Sequence, residues 1–204
     1  MAPKPSTRPR KNASQERSRA TVTALLDATA RVLTKHGYDR ASTNRVAEAA
    51  GVSIGSLYQY FPSKEALVAS LLERHVDEIR GILHAELPRL VALPLPEGIE
   101  EAVRLMVAAH AHDPKLHKVL VEQTPRTGRL EKIRGVEEEM TEILRNYLEA
   151  RRAELRVTNL DLAAFIVVGT VEALTHTAVL TRPELLGEPF VREVTSVVVR
   201  YLRA

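Results

Sequence analysis

Apolar side chains recur three and four positions apart along almost the whole chain, and this spacing most constrains its fold. Val22, Leu25, Leu26 and Leu33 follow it near the N-terminus, and the segment 130–152 repeats it. Residues at these spacings share one face of an α-helix, whereas a half-buried strand needs strict alternation. No segment alternates convincingly, and no internal repeat is found. The sequence therefore predicts an all-α fold of about nine helices.

The composition excludes several classes of protein. The chain has 204 residues, of which 45% are apolar and 27% charged, as in ordinary globular proteins. It has no cysteine, which excludes disulfides, thiolate metal sites and cysteine nucleophiles. No apolar run is read as long enough to span a bilayer, and no signal-peptide stretch follows the first basic residues. We therefore predict a soluble, cytoplasmic protein with no membrane partner.

The charge is distributed unevenly along the chain. Residues 1–65 contain eleven Lys and Arg against five Asp and Glu, whereas the whole chain has 29 against 26. A basic end on a mildly acidic body predicts a polyanion partner for the basic end. Residues 1–13 hold three prolines and four basic residues, which predicts a disordered basic arm, with an ordinary solvated tail as the alternative.

Prolines and glycines predict where the helices end. Gly37 is expected to end the first helix, and a proline-rich connection is expected over residues 87–98. A further break is expected over residues 125–128.

The segment AAGVSIGSLYQYF, residues 49–61, predicts a helix-turn-helix over about residues 43–60. A short helix from about Asn44 ends at Gly51, and a second runs from Ser53 to about Tyr60. The turn needs a positive φ, which glycine adopts at little cost. Leu57 is expected to anchor the second helix on its buried side.

The opposite side of the second short helix is expected to present small, hydroxyl-bearing and aromatic side chains to a DNA groove. Ser56 and Gln59 can read base edges, and Gly55 lets the backbone approach closely. Tyr60 and Lys64 are expected near phosphates, Lys64 at a helix N-terminus. The predicted DNA-binding residues are Thr43, Asn44, Arg45, Ser53, Ile54, Gly55, Ser56, Tyr58, Gln59, Tyr60 and Lys64.

These motifs resemble the DNA-binding signature of the TetR family of bacterial repressors, over about residues 17–76. The matching elements are Thr43, Ala50-Gly51-Val52-Ser53, Tyr58-Gln59-Tyr60-Phe61 and Ser63-Lys64-Glu65-Ala66-Leu67. Asn44-Arg45 departs from the family pattern, which puts one phosphate contact in doubt. The resemblance implies a DNA-binding domain over residues 14–76 and a ligand-binding and dimerisation domain over residues 77–204. It implies a non-enzymatic transcriptional regulator that represses from a palindromic operator.

The resemblance also implies a homodimer whose last two helices form a four-helix bundle with those of the partner. The segment 160–180 is apolar nearly all round, so it must be covered on more than one side, and Gly169 and Ala173 lie four apart. A central core helix is the alternative. The predicted dimer-interface residues are Phe165, Gly169, Ala173, Val194, Val198 and Tyr201.

In this family a small-molecule inducer enters a cavity in the C-terminal body, and the fourth helix, here about residues 67–83, transmits its effect. The inward helix faces are mostly aliphatic, which predicts a largely apolar inducer of unknown identity. The predicted ligand-binding residues are Met106, His110, His117, Tyr147, Phe165, Glu172 and His176.

Three alternatives remain beside this hypothesis. The segment HAHDPKLH, residues 110–117, could ligate a metal, but its aspartate is better explained as a helix cap, so no metal and no cofactor are predicted. An enzyme is disfavoured because no nucleophile elbow, P-loop, dinucleotide fingerprint or zinc-protease motif occurs. A non-specific architectural DNA-binding protein would carry basic charge throughout, whereas this body is acidic.

Overall fold

A computed structural model of the chain describes residues 16–111, 113–127 and 130–203. Over these residues the chain is built of α-helices, which confirms the predicted all-α class. The expected basic arm over residues 1–13 lies outside the described residues. The α-helices of the described part are α1 (Glu16–Arg40), α2 (Thr43–Ala50), α3 (Ile54–Tyr60), α4 (Lys64–Ala92), α5 (Leu95–Ala111), α6 (Pro114–Thr127), α7 (Leu130–Glu149), α8 (Leu160–Thr181) and α9 (Glu188–Leu202).

The chain divides into two compact units. The first holds the chain up to Asp77 together with Lys115–Lys132, and the second holds Glu78–Pro114 and the chain from Ile133 onward. The long helix α4 therefore begins in the first unit and ends in the second.

Two glycines of the first unit adopt positive φ at or near the helix ends that the sequence predicts. Gly37 has φ 72° and interrupts the helical backbone of α1 three residues before its end. Gly51 has φ 68° and ψ 28°, the left-handed conformation that closes α2, and its amide donates to the carbonyl oxygens of Ala47 and Glu48. Leu25, Leu33 and Leu57 are fully buried and hold α1 and α3 in the core of this unit.

The prediction of a proline-rich connection over residues 87–98 is wrong for most of that segment. Helix α4 continues through Pro88 to Ala92, and α5 begins at Leu95, which leaves only Leu93 and Pro94 between them. A proline inside a helix costs about 3 kcal/mol. Leu83, Leu87 and Leu90, on either side of Pro88, line the interior of the second unit, and their packing offsets that cost.

The prediction of a break beginning at Pro125 is also wrong, because α6 continues to Thr127. Gly128 lies outside the described residues.

The core of the second unit is formed by α5, α7, α8 and α9. Ile99, Leu148, Val167, Val194 and Leu202 are among its buried side chains. The 22-residue α8 is long and apolar enough to cross a membrane by length and composition alone, so the expectation that no apolar run reaches that length is wrong. The same test is passed by core helices, and α8 contributes one side to this core.

Candidate DNA-binding surface and apolar cavity

Side-chain caps fix the beginnings of the two short helices. The backbone amide of Arg45 donates to Ser42 Oγ at 3.3 Å at the start of α2. The amide of Ser56 donates to Ser53 Oγ at 3.1 Å at the start of α3. These caps satisfy amides that have no partner inside a helix, so two helices of eight and seven residues are stable at defined ends.

The outer side of α3 carries the residue types that the sequence predicts there. Ser53, Gly55 and Gln59 are exposed, as are Ile54 at 39% and Tyr58 at 41% of their surface, and the opposing Leu57 is fully buried. A Cβ added to Gly55 would meet only Ser53 Oγ, at 3.8 Å. Packing within the chain therefore does not require glycine at position 55. The glycine leaves no side chain protruding from the outer surface of α3 at that position.

Tyr60 lies on the other side of the helix from its predicted position. It is 8% exposed, and its hydroxyl donates to Ser18 Oγ on α1 at 3.2 Å. Tyr60 follows the buried Leu57 by three positions, and residues at that spacing share a helix face. The expectation that Tyr60 lies on the exposed face of α3 is therefore wrong.

Lys64 and Arg45 carry their charges at the surface of the first unit. Lys64 Nζ donates to the backbone oxygen of Tyr38 at 3.0 Å and lies 4.0 Å from the centre of the Tyr38 ring. Arg45 Nη1 donates to the backbone oxygen of Arg40 at 2.8 Å. Both of these partners are uncharged, so the contacts position the cations without neutralising them.

The end of α1 lies in a positive electrostatic field. The pKa of His36 is lowered from its usual value. The largest cause is desolvation, followed by the positive charges of Arg45, Lys35 and Arg40. A field of this sign beside α2 and α3 favours a polyanion.

The second unit contains an apolar cavity of about 140 Å³. Of the predicted ligand-binding residues, Met106 and Tyr147 line it, whereas His110, Phe165, Glu172 and His176 do not, and His117 belongs to the first unit. The remaining lining residues are Leu83, Leu87, Leu90, Val91, Gly98, Ile99, Ala102, Val103, Met140, Ile143, Leu144, Val167, Val168 and Val171. Leu87, Leu90 and Val91 were missed because residues 87–98 were interpreted as a connection, whereas Leu83 was placed on the fourth helix and not assigned to the cavity.

Tyr147 supplies the cavity's polar side-chain atom, and that atom is already engaged. Its hydroxyl donates to the backbone oxygens of Leu93 at 3.1 Å and Pro94 at 3.3 Å. Gly98 is required beside it, since a Cβ there would collide with the Tyr147 hydroxyl. Burial raises the pKa of the Tyr147 phenol, which therefore stays neutral. Within the described residues the lining holds no charged side chain, so the cavity suits an uncharged, aliphatic group.

The outer faces of α8 and α9 expose large apolar side chains. Phe165 is 67% and Val197 57% exposed, and Gly169 and Ala173 are exposed beside Phe165 on α8. The other exposed large apolar side chains of α8 are Leu162, Ile166 and Leu174.

Val194 and Val198 do not share that outer face. They are 5% and 2% exposed and lie in the core of their own unit, so their predicted position at a surface facing a partner is wrong. They lie four residues apart and share the inward side of α9, whereas Val197 points outward. Tyr201 is half-buried against the same core.

A cluster of titratable side chains joins α5, α7 and α8. Glu172 is bonded to Glu137, and burial, followed by the charge of Glu137, raises the pKa of Glu172 to about 7. His176 Nε2 lies 4.0 Å from Glu172 Oε1, four positions before it on α8. The rings of His176 and His110 are 4.8 Å apart, and burial lowers the pKa of His110. The contribution of Glu137 had no signal in the sequence because α7 and α8 approach each other only in the fold.

Two family models match the chain. The model described as bacterial regulatory proteins of the tetR family matches residues 25–71, and that of the tetracyclin repressor-like C-terminal domain matches residues 94–202. Together they cover both the helix-turn-helix and the helices around the cavity.

One similar curated protein is the HTH-type transcriptional repressor KstR of Rhodococcus jostii. It is 43% identical over 68 residues, which cover 33% of this chain and 30% of the relative. The chain thus spans less than a third of the length of the curated relative it matches.

Solved structures share the fold over most of their length. A TetR-family transcriptional regulator from Mesorhizobium loti superposes with a TM-score of 0.73 at 19% identity, covering 91% of this chain and 96% of that one. The fatty acid degradation regulator FadR of Bacillus halodurans superposes with a TM-score of 0.69 at 22% identity, covering 88% and 94%. At these identities the likeness shows the fold alone.

Proposed function

This chain belongs to the TetR family of bacterial regulatory proteins, and from that premise we propose that it is a ligand-responsive repressor of transcription. In this proposal a homodimer binds a palindromic DNA operator through α3 and is released by a small, largely apolar molecule. The DNA-binding domain spans residues 14–76, and residues 77–204 bind the ligand and the partner subunit.

The observation that carries the DNA-binding proposal is the outer surface of α3. Polar and aromatic side chains are exposed there beside a glycine that the chain's own packing does not require. Such a surface fits a major groove, where Ser56 and Gln59 reach base edges and the Tyr58 ring can contact a thymine methyl. Lys64 and Arg45 supply positive charge toward the phosphates.

The dimer is proposed from the exposed apolar faces of α8 and α9. Phe165 exposes two-thirds of its surface to water, and Val197 exposes more than half. A second copy of the chain would cover both side chains. Two copies related by a twofold axis present two α3 helices, and successive major grooves lie about 34–36 Å apart, so the operator is an inverted repeat.

Release from DNA is proposed to follow occupation of the apolar cavity. A ligand shifts the dimer away from DNA only if it binds more tightly to the arrangement that cannot span both half-sites. Helix α4 carries Leu83, Leu87 and Leu90 in the cavity wall, and its first residue is the proposed phosphate contact Lys64. It is therefore the proposed link between ligand and DNA.

Selection of bound duplexes from a random pool tests this function. We expect the enriched sequences to contain an inverted repeat, bound at least about 10³-fold more tightly than random DNA. An affinity ratio near one would reject the repressor and favour the architectural protein. Absence of any duplex binding would reject both.

A further inference from the structure

We propose that Arg151 is a positioning residue for ligand binding. Together with Tyr147 it holds the C-terminal end of α4 against the end of α7, and a ligand that enters the apolar cavity has to loosen this attachment. This role rests on the proposed function, because it takes the apolar cavity as the ligand site. All the contacts that support it lie within the second unit.

Tyr147 and Arg151 form a stacked pair. Arg151 follows Tyr147 by four positions, just past the end of α7, so the two side chains lie on the same side. The guanidinium carbon of Arg151 lies 3.8 Å from the centre of the Tyr147 ring, a position in which the ring attracts a cation. Arg151 Nη1 also donates to the backbone oxygen of Tyr147 at 3.4 Å. A displacement of the ring therefore moves the guanidinium as well.

The Tyr147–Arg151 pair bonds to backbone oxygens at the C-terminal end of α4. Arg151 Nη2 donates to the oxygens of Val91, in the last turn of α4, and Leu93, directly after it, both at 2.8 Å. The Tyr147 hydroxyl donates to the same oxygen of Leu93 at 3.1 Å. The last carbonyl groups of a helix have no partner inside it and carry partial negative charge, so a cationic donor stabilises them. The pair thus attaches α4 to α7.

Other interactions hold this end of α4 only weakly. Residues 84–92 are all exposed or half-buried, whereas α5 begins with the fully buried Leu95. Pro88 has no amide hydrogen, so α4 lacks one backbone hydrogen bond in this segment. The ion pair between Arg89 and Glu101, at 3.0 Å, is exposed, and such pairs contribute little. Segments with few buried contacts open most easily, so the end of α4 is the part of the cavity wall that yields first.

A ligand has to displace this part of the wall. The cavity has a volume of about 140 Å³, whereas pockets that hold drug-sized molecules measure about 300–1,000 Å³. Leu87, Leu90 and Val91 line the cavity from the end of α4, and Tyr147 lines it from α7. Moving these two walls apart widens the cavity and breaks the bonds of Arg151. The free energy of those bonds then opposes ligand binding.

Titration of the full-length protein with N-phenyl-1-naphthylamine, an uncharged fluorescent dye, tests this role. Arg151→Met keeps an apolar stem beside the Tyr147 ring and lacks the donors. We expect it to bind the dye about three- to tenfold more tightly, as the loss of one or two hydrogen bonds allows. Operator affinity without dye should change much less, because the attached arrangement is already the majority. Unchanged dye affinity in Arg151→Met would overturn the proposal.

Arg151→Lys keeps a charged donor and should tighten dye binding by a smaller factor than Arg151→Met. If Arg151→Met does not fold, Arg151→Lys decides, and dye affinity equal to that of the unmodified protein would then overturn the proposal.

Arg156→Met is the matched control. Arg156 Nε donates to the backbone oxygen of Tyr201 at 3.0 Å, so this variant removes the same kind of bond from the end of α9, whose described residues do not line the cavity. Both methionine variants should lower the thermal unfolding midpoint, whereas only Arg151→Met should tighten dye binding. Equal tightening by both would indicate general loosening of the second unit and overturn the proposal.

Release of the operator by saturating dye is measured separately on the unmodified protein. A protein that binds the dye and keeps its operator would reject the proposed release mechanism, while the dye affinities of the variants still decide the role of Arg151.

Discussion

The hydroxyl of Tyr58 on α3 lies 3.1 Å from Thr43 Oγ1 at the start of α2, so the exposed parts of the two short helices are joined at the surface. This bond fixes the direction of an aromatic ring that is 41% exposed. A ring held in place before binding loses less conformational entropy when DNA arrives.

Tyr58→Ala should weaken operator binding about tenfold, because it removes both the ring and its bond to Thr43. Tyr58→Phe keeps the ring and should lose much less. Fluorescence anisotropy with the selected duplex measures both affinities. Thermal unfolding is the control, and its midpoint should stay unchanged because the side chain is largely exposed. Full affinity in the alanine variant would remove Tyr58 from the DNA-binding surface.

Lys64→Ala should have two effects, since Lys64 is bonded to Tyr38 within the chain as well as proposed to contact phosphate. Loss of the hydrogen bond and of the contact with the Tyr38 ring should lower the free energy of unfolding by about 1 kcal/mol. Loss of one phosphate contact should reduce the slope of log affinity against log salt by about 0.9.

Urea unfolding and anisotropy at several salt concentrations measure the two effects of Lys64→Ala. Lys64→Met, which keeps the stem and lacks the charge, is the control for packing of the stem. A salt slope identical to that of the unmodified protein would show that Lys64 acts only within the fold.

The sequence predicts those features that depend on a few neighbouring residues. Gly37 and Gly51 adopt positive φ where the helical pattern stops, and Ser53 caps α3. Tyr60 shows the limit of interpreting a sequence motif. Tyr58 and Tyr60 were both predicted to be exposed, but only Tyr58 is. The three-residue spacing from Leu57 places Tyr60 on the buried side.

Features that depend on packing between distant segments were not predictable in the same way. The residues around Pro88 form a sequence pattern that is compatible with either a loop or a long helix. The helix forms here because the flanking leucines pack into the second unit. Glu137 and Glu172 meet across α7 and α8 although 35 positions separate them. The aliphatic character of the cavity could be predicted from inward helix faces, but most of its wall residues could not.

Ala102→Leu should fill part of the apolar cavity and weaken binding of an apolar fluorescent dye about tenfold or more. Ala102 lines the cavity, and added methylenes in a space of about 140 Å³ exclude part of any ligand. Operator affinity without ligand should stay the same, and release by ligand should be lost. Ala108→Leu on the exposed side of the same helix is the matched control. Equal dye binding by both variants would contradict the assignment of this cavity as the ligand site.

Phe165→Asp should convert the proposed dimer to a monomer. Phe165 is the most exposed of the large apolar side chains on α8. Gly169 and Ala173 lie beside it, and their small size lets another helix approach closely. A carboxylate at the centre of such an interface would be buried without a partner, at a cost of several kcal/mol per ion.

Sedimentation velocity measures the outcome of Phe165→Asp, and Ile82→Asp is the control, since Ile82 on α4 is 44% exposed and lies outside α8 and α9. We expect the control to remain a dimer. The monomeric variant should keep its helical content and lose high-affinity binding to the inverted repeat, because one α3 contacts one half-site. A Phe165→Asp protein that sediments as a dimer would exclude this face as the interface, and an unmodified protein that sediments as a monomer would exclude the dimer itself.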